Sequence, residues 1–213
     1  MQKDNSTFRQ KAMLRSKALL ELERPVILET HGGLGKLYAS CYSEFPDGVV
    51  FEKDSAKSSV LAKQRPTWAV YETDCVRAMA AGVGSHLPVN FVDFDPYGGP
   101  WFCMDAFFEG LKPTVPKLVL VVHDGLRERL KMHVAWITEG LQNVVDRMGN
   151  AAIYENYLDV CKGLVKEKAA KAGYSLRRWT GYYGRPAERP EGQIGEAPGW
   201  NATHYAAMLE RVR

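Results

Sequence analysis

The chain has 213 residues, 46% of them hydrophobic, with a formal net charge of +3. That is enough apolar material for one sizeable core, and so for one domain or one domain with an appendage. The charge neither demands nor excludes an anionic partner, and no apolar run approaches the ~20 residues that a membrane span needs.

The first two dozen residues read as a leading helix with Phe8, Ala12, Leu19 and Leu22 on one side, and the polar start "MQKDNSTFRQKAML" is unlike a signal peptide. "PVILET" (25–30) is a short apolar strand followed by "HGGLG", after which 35–45 reads as a helix. "GVVFEKD" (48–54) is a second strand. "DSAKSSVLAKQR" (54–65) is a helix capped by Asp54 or Ser55 and stopped by Pro66. "TWAVYETD" (67–74) is a third strand, followed by a short helix that Gly82 closes. "PVNFVDFD" (88–95) and "PKLVLVVHDG" (116–125) are the fourth and fifth. Near-continuous apolar strands suit a parallel sheet covered on both faces, so the chain is α/β, with right-handed crossovers.

Leu126, Leu130, Val134, Ile137, Leu141, Val145 and Met148 then recur at helical spacing, and a second helix is expected at about 154–172, ending near Gly173. "YSLRRWTGYYG" (174–184) and "NATHYAAMLERV" (201–212) read as a strand pair around a Pro- and Gly-rich loop, 184–200. The four cysteines (41, 75, 103, 161) are far apart, with no C-x-x-C. Neither a metal site nor a disulfide framework is expected, and a reducing cytoplasm fits.

The chemistry concentrates at strand ends. The first strand ends in Glu29, followed by His31 and a turn carrying Gly32, Gly33 and Gly35. Glycines there let the backbone approach a ligand. The P-loop and dinucleotide patterns both fail on spacing. The second strand ends at Glu52, whose carboxylate can accept both hydroxyls of a ribose. The third ends at Asp74, which can meet an adenine amino group. Taken singly, each acid can equally be a helix cap or a solvated residue.

This succession resembles the class I, Rossmann-like S-adenosylmethionine-dependent methyltransferases. The resemblance runs from about residue 25 to the end, so 1–24 is a helical extension and 25–213 the methyltransferase domain. It implies a doubly wound, mostly parallel seven-stranded sheet whose last two strands form an antiparallel hairpin. It also implies that Glu29, His31, Gly32, Gly33 and Gly35 lie at the methionine part of S-adenosyl-L-methionine, Glu52 at the ribose and Asp74 at the adenine. The usual loop is closer to D/E-x-G-x-G-x-G, which "ETHGGLG" fits loosely.

After the fourth strand, "DFDPYGGP" is similar to the D-x-D-P-F/Y-G-[ST]-P stretch of the tRNA guanine-N2 dimethyltransferases. The resemblance implies transfer to a nitrogen. Asp95, with the Pro96 carbonyl, would bind the amine N–H and aim its lone pair, while Tyr97 would stack on a base, worth ~1–3 kcal/mol. Asp93 lies on the same side of the strand as Asp95, and two close carboxylates are expected to raise one pKa and suit proton acceptance. D-P-Y-G is also an ordinary turn.

Lys162, Lys166, Lys168, Lys171, Arg177, Arg178 and Arg185, interleaved with Trp179, Tyr182 and Tyr183, suit a nucleic acid, RNA over DNA; a solvated helix face is the competing account. The large extra domain usual in guanine-N2 tRNA enzymes is not expected here. The expected activity is therefore N-methyl transfer to a nucleic-acid base. A non-catalytic methyltransferase-like binder and a nicotinamide-dependent reductase are the rivals.

Overall fold

A computed structural model describes residues 8–127, 139–184 and 202–212. Helix α1 (Phe8–Leu19) leads into β1 (Ile27–Glu29), a π-helical turn (Tyr38–Tyr42) and β2 (Gly48–Glu52). Then come α2 (Ser55–Gln64), β3 (Ala69–Glu72), α3 (Cys75–Ala80), β4 (Phe91–Phe94) and α4 (Trp101–Ala106) with a π-helical turn behind it (Phe107–Leu111). The chain closes with β5 (Lys117–Asp124), α5 (Glu139–Met148), α6 (Asn150–Glu155), α7 (Tyr157–Lys171), β6 (Tyr174–Tyr183) and β7 (Thr203–Arg211).

The seven strands form one sheet in the order β3-β2-β1-β4-β5-β7-β6. β1 to β5 are parallel, and β7 runs antiparallel between β5 and β6. This is the expected doubly wound sheet with its terminal hairpin. β1, β2, β4 and most of β5 are buried because both faces are covered, while the edge strands β3 and β6 are partly exposed. Along β5, Leu118, Leu120 and Val122 enter one core with Phe94, Trp101 and Tyr157, while Val119 and Val121 enter the other with Leu14, Tyr42 and Trp68.

The punctuation follows the local chemistry. Asp54 caps α2 by accepting the Lys57 N–H at 3.1 Å, a contact worth about 1 kcal/mol. Gly82 and Gly173 take positive φ (78° and 80°) at helix ends. The apolar face of α1 is shifted from the expected one: Leu14, Arg15, Ala18 and Leu19 are buried. The helix expected at 154–172 is broken at Asn156 into α6 and α7. α4 was not anticipated, although Trp101, Met104 and Phe107 recur at helical spacing. The long helix expected after β5 falls on described residues only at 126–127 and from 139 onward, and most of the 184–200 loop lies outside the described residues. Among the described residues no helix is long and apolar enough to cross a membrane.

Candidate functional site

Because β3, β2, β1 and β4 are neighbours and parallel, their carboxyl ends share one rim of the sheet. Glu29 and Glu52 are the last residues of β1 and β2, Asp95 follows β4, and Asp74 lies two residues beyond β3. Ligands of open α/β sheets collect at this rim, near a reversal in strand order. Here the reversal lies between β1 and β4.

The glycine turn and the second acid are joined. The Gly33 N–H donates to Glu52 Oε2 at 2.8 Å, and the Asp54 N–H donates to Oε1 at 3.0 Å. Gly33 (φ 55°) has nothing within 4 Å of where a Cβ would stand, so its backbone is open to a ligand. Gly32 lies against Leu61 and Val50, where a Cβ would come within 2.4 and 2.6 Å. That contact lets the turn settle onto the sheet. Gly35 (φ 74°) takes a conformation that favours glycine. Asp74 is exposed and caps α3, accepting the Arg77 N–H at 3.1 Å.

Two of the expected site carboxylates point inward. Glu29 is 1% exposed and accepts from Arg65 Nη1 at 2.5 Å, while the Arg65 guanidinium lies over the Tyr38 and Trp68 rings. Burial pushes the Glu29 carboxyl up to about 7, against the pull of Arg65. Asp93 is fully buried and takes Arg15 Nε at 2.7 Å, Arg15 Nη2 at 2.5 Å and the Tyr42 hydroxyl at 2.7 Å. All three partners lie in the layer between sheet and helices. Neither side chain is presented to the rim.

Asp95 is on the same side of the sheet as Asp93, as expected, but the expected pKa is corrected. Burial pushes its carboxyl up, yet Arg15, Lys11 and His123 overcome that and hold it well below the usual carboxylate range. Lys11 Nζ sits 2.6 Å from Oδ1, and Arg15 Nη2 4.0 Å from Oδ2. Asp95 therefore stays ionised and is a hydrogen-bond acceptor rather than a proton store. Both cations come from α1, which sequence reasoning left outside the site. The signal was Lys11 and Arg15 one helical turn apart in an otherwise apolar face.

Past Pro96, Tyr97 is 85% exposed, and Gly98 (φ 102°) has open space around its Cα. Gly99 packs on Leu126, where a Cβ would come within 2.3 Å. The loop is held to the end of β5 by the Gly125 N–H donating to Gly98 O at 2.9 Å. His123 and His204, register partners on β5 and β7, bring their Nδ1 atoms to 3.4 Å. Burial pushes them down to about 4 and about 3, so both are neutral at pH 7. Asp124 turns the other way, into the core, against Tyr157 and the Leu126 N–H.

His31 makes an unexpected cluster. Its Nδ1 is 2.9 Å from Thr30 Oγ1, its Nε2 3.7 Å from Cys75 Sγ, and Cys75 Sγ is 3.4 Å from Cys103 Sγ. The absence of C-x-x-C spacing did not prevent this, because the fold brings three separate loop and helix starts together.

Four of the seven late basic residues are paired with acids. Lys168 pairs with Asp105, Lys171 with Glu167, Arg177 with Glu210 and Arg178 with Glu21. Trp179 stacks on Tyr205 and Tyr182 on His204. The solvated-face account of these residues holds for those pairs; Arg185 lies outside the described residues.

No family model matches the sequence, and no curated protein matches it. Solved structures do. Against M. jannaschii TYW2 in complex with AdoMet the TM-score is 0.60 at 15% identity, over all of this chain and 79% of that one. Against Trm1 from Pyrococcus horikoshii with S-adenosyl-L-methionine it is 0.61 at 11% identity, over 96% of this chain and 56% of that one. Against P. horikoshii PH1948, described as a candidate RNA methyltransferase, it is 0.54 at 11% identity, over 100% and 89%. The chain has the Rossmann-like methyltransferase fold. At these identities the likeness is one of fold, and this chain spans little more than half of Trm1's length.

Proposed function

We propose that this chain is an S-adenosylmethionine-dependent N-methyltransferase acting on a nucleic-acid base, in RNA rather than DNA. The observation that carries the reading is the bond from Gly33 to Glu52. It ties the open glycine turn to an acid one strand away, on a rim that also carries Asp74 and Asp95. Glu52 would take the ribose hydroxyls, the Gly33 backbone the methionine part, and the residues around Asp74 the adenine.

In the reaction the methyl leaves the sulfonium for the amine nitrogen, giving S-adenosylhomocysteine and a cationic amine that then sheds a proton. Asp95, ionised and fixed by Lys11, would accept the amine N–H and aim the lone pair, with the Pro96 carbonyl as second acceptor and Tyr97 as stacking face. The proton then goes to water, because the low Asp95 pKa makes it a poor base. Asp93 and Glu29 act from behind: Asp93 fixes Arg15 beside Asp95, and Glu29 holds Arg65 against the Tyr38 and Trp68 rings. Positioning of this kind can supply several kcal/mol of a barrier. The RNA preference is supported by the fold likeness to PH1948, not by the late basic stretch; the exposed Tyr97 suits a base of either nucleic acid.

One contact favours a second reading, a binder that does not transfer: Lys11 already occupies Asp95 Oδ1 at 2.6 Å. Incubation with labelled methyl donor and separated RNA, DNA and protein fractions decides between them. Label in RNA that disappears with Asp95→Ala supports transfer. Stabilisation by S-adenosylhomocysteine with no label in any fraction supports the binder, and stabilisation by NADH instead would sink both.

A further inference from the structure

We propose that His31, Cys75 and Cys103 form a three-ligand site for a thiophilic divalent cation of the zinc class, at the inner side of the rim. The three ligand atoms all lie within 4.8 Å of one another. Tetrahedral zinc has Zn–S of about 2.3 Å and Zn–N of about 2.0–2.1 Å, which sets ligand separations of about 3.8 Å for S···S and about 3.6 Å for S···N. The two separations here are 3.4 Å between the sulfurs and 3.7 Å from Cys75 Sγ to His31 Nε2. These two edges are within a few tenths of an ångström of those values, and the third, between His31 and Cys103, is within 4.8 Å and would close further on binding.

The ring places Nε2 on the side of the sulfurs, and the hydrogen bonds around it accommodate the tautomer that leaves Nε2 a free lone pair. The Thr30 hydroxyl donates its one proton to the Asp93 carbonyl at 3.0 Å. Its oxygen is then the acceptor for His31 Nδ1–H at 2.9 Å. Nε2 is left with its lone pair directed toward Cys75. A histidine whose second nitrogen donates to a buried oxygen is the arrangement that metal-ligating histidines use to fix ring and tautomer. A pair of thiols joining as a disulfide needs no such histidine, and would have to close from 3.4 Å to about 2.05 Å.

Charge supports the same assignment. Cys75 and Cys103 are 5% and 4% exposed. Two bare thiolates there would be costly, whereas two thiolates, a neutral imidazole and a divalent cation sum to zero. His31 is half-buried, which leaves the cleft side for a water or other fourth ligand. The ligands come from the turn after β1, the first residue of α3 and the third of α4. A bound cation would therefore fasten together three segments that follow three strands of the rim. This inference does not depend on methyl transfer.

The test is cobalt titration of the full chain, reduced, stripped with chelator and held under anaerobic conditions. We expect a thiolate-to-cobalt charge-transfer band and strong tetrahedral visible bands that saturate at one equivalent and are bleached by zinc. Cys103→Ser and the milder His31→Gln should each weaken or lose the bands, while Cys41→Ser and Cys161→Ser keep them; circular dichroism checks that each variant is folded. Zinc should also raise the unfolding midpoint of the parent protein and not of His31→Gln. Absent or weak octahedral bands, or full bands in folded His31→Gln, would overturn the site. So would a Cys75–Cys103 disulfide in the isolated protein whose reduction yields no cobalt uptake.

Discussion

Glu29 and Asp93 are register partners on adjacent parallel strands, side by side in the same buried layer, and each is matched by its own arginine. Two carboxylates so placed repel one another, and the Asp93 charge contributes to the raised Glu29 pKa. Arg65 and Arg15 neutralise them from opposite sides, from the end of α2 and from α1. Removing one partner of such a pair leaves an uncompensated buried charge, which costs ~3–5 kcal/mol. Arg15→Met is therefore expected to lose about that much of unfolding free energy in a urea titration. Arg15→Met combined with Asp93→Leu should recover much of it, because removing both charges restores an apolar layer. A single variant as stable as the parent would contradict this.

Glu52, the part-exposed last residue of β2, holds the glycine turn through Gly33 and accepts the Asp54 N–H. Glu52→Ala is expected to leave the unfolding free energy within about 1 kcal/mol of the parent, as for most substitutions at partly exposed positions. It should weaken S-adenosylmethionine binding by about 100-fold, the loss of two hydrogen bonds to a charged acceptor at about 1.5 kcal/mol each. Calorimetric titration measures this directly, and unchanged affinity would remove the ribose assignment.

Asp95 faces Lys11 and Arg15 but no part of the glycine turn bonds to it among the described contacts. Asp95→Ala is therefore expected to abolish methyl transfer while leaving donor affinity within a few-fold of the parent. Asp95→Asn, which keeps an acceptor oxygen but loses the charge, should retain partial activity if the residue only aims the N–H. An Asp95→Ala protein that transfers methyl at the parental rate would end the motif argument.

The parallel strands were legible because each is a short, largely apolar run with an acid at or just after its end, and parallel burial leaves that mark in sequence. The order of acids at strand tips was legible for the same reason. Which way each acid points was not. Glu29 and Asp93 read as site residues because nothing local tells a rim carboxylate from one turned inward. Their partners, Arg65 and Arg15, lie 36 and 78 positions away. The His31–Cys75–Cys103 cluster escaped for a similar reason, since Cys75 and Cys103 are 28 positions apart and His31 and Cys75 are 44 apart. Arg15 on the buried face of α1 was hidden by its own charge, which argues for solvent until a buried carboxylate is known to meet it.

Asp124, at the end of β5, is fully buried, with the Leu126 N–H on one oxygen at 2.8 Å and the Tyr157 hydroxyl on the other at 2.9 Å. Burial outweighs these donors and raises its pKa from 3.8 to about 7. The folded chain thus keeps a proton that the unfolded chain has already released. Stability from this group is complete below pH 3.8 and is lost as pH rises through about 7. His123 and His204, lowered to about 4 and about 3, act in the opposite sense, losing stability as pH falls below their ordinary 6.5. The parent protein's own profile blends these trends, so a difference isolates Asp124. Urea unfolding of the parent and of Asp124→Asn at pH 5 and pH 8 is the measurement. The parent is expected to lose more stability than the variant between those two values, because the amide cannot ionise. Parallel profiles for the two proteins would show that Asp124 is already ionised at pH 5 and that its hydrogen-bond donors, not burial, set its charge.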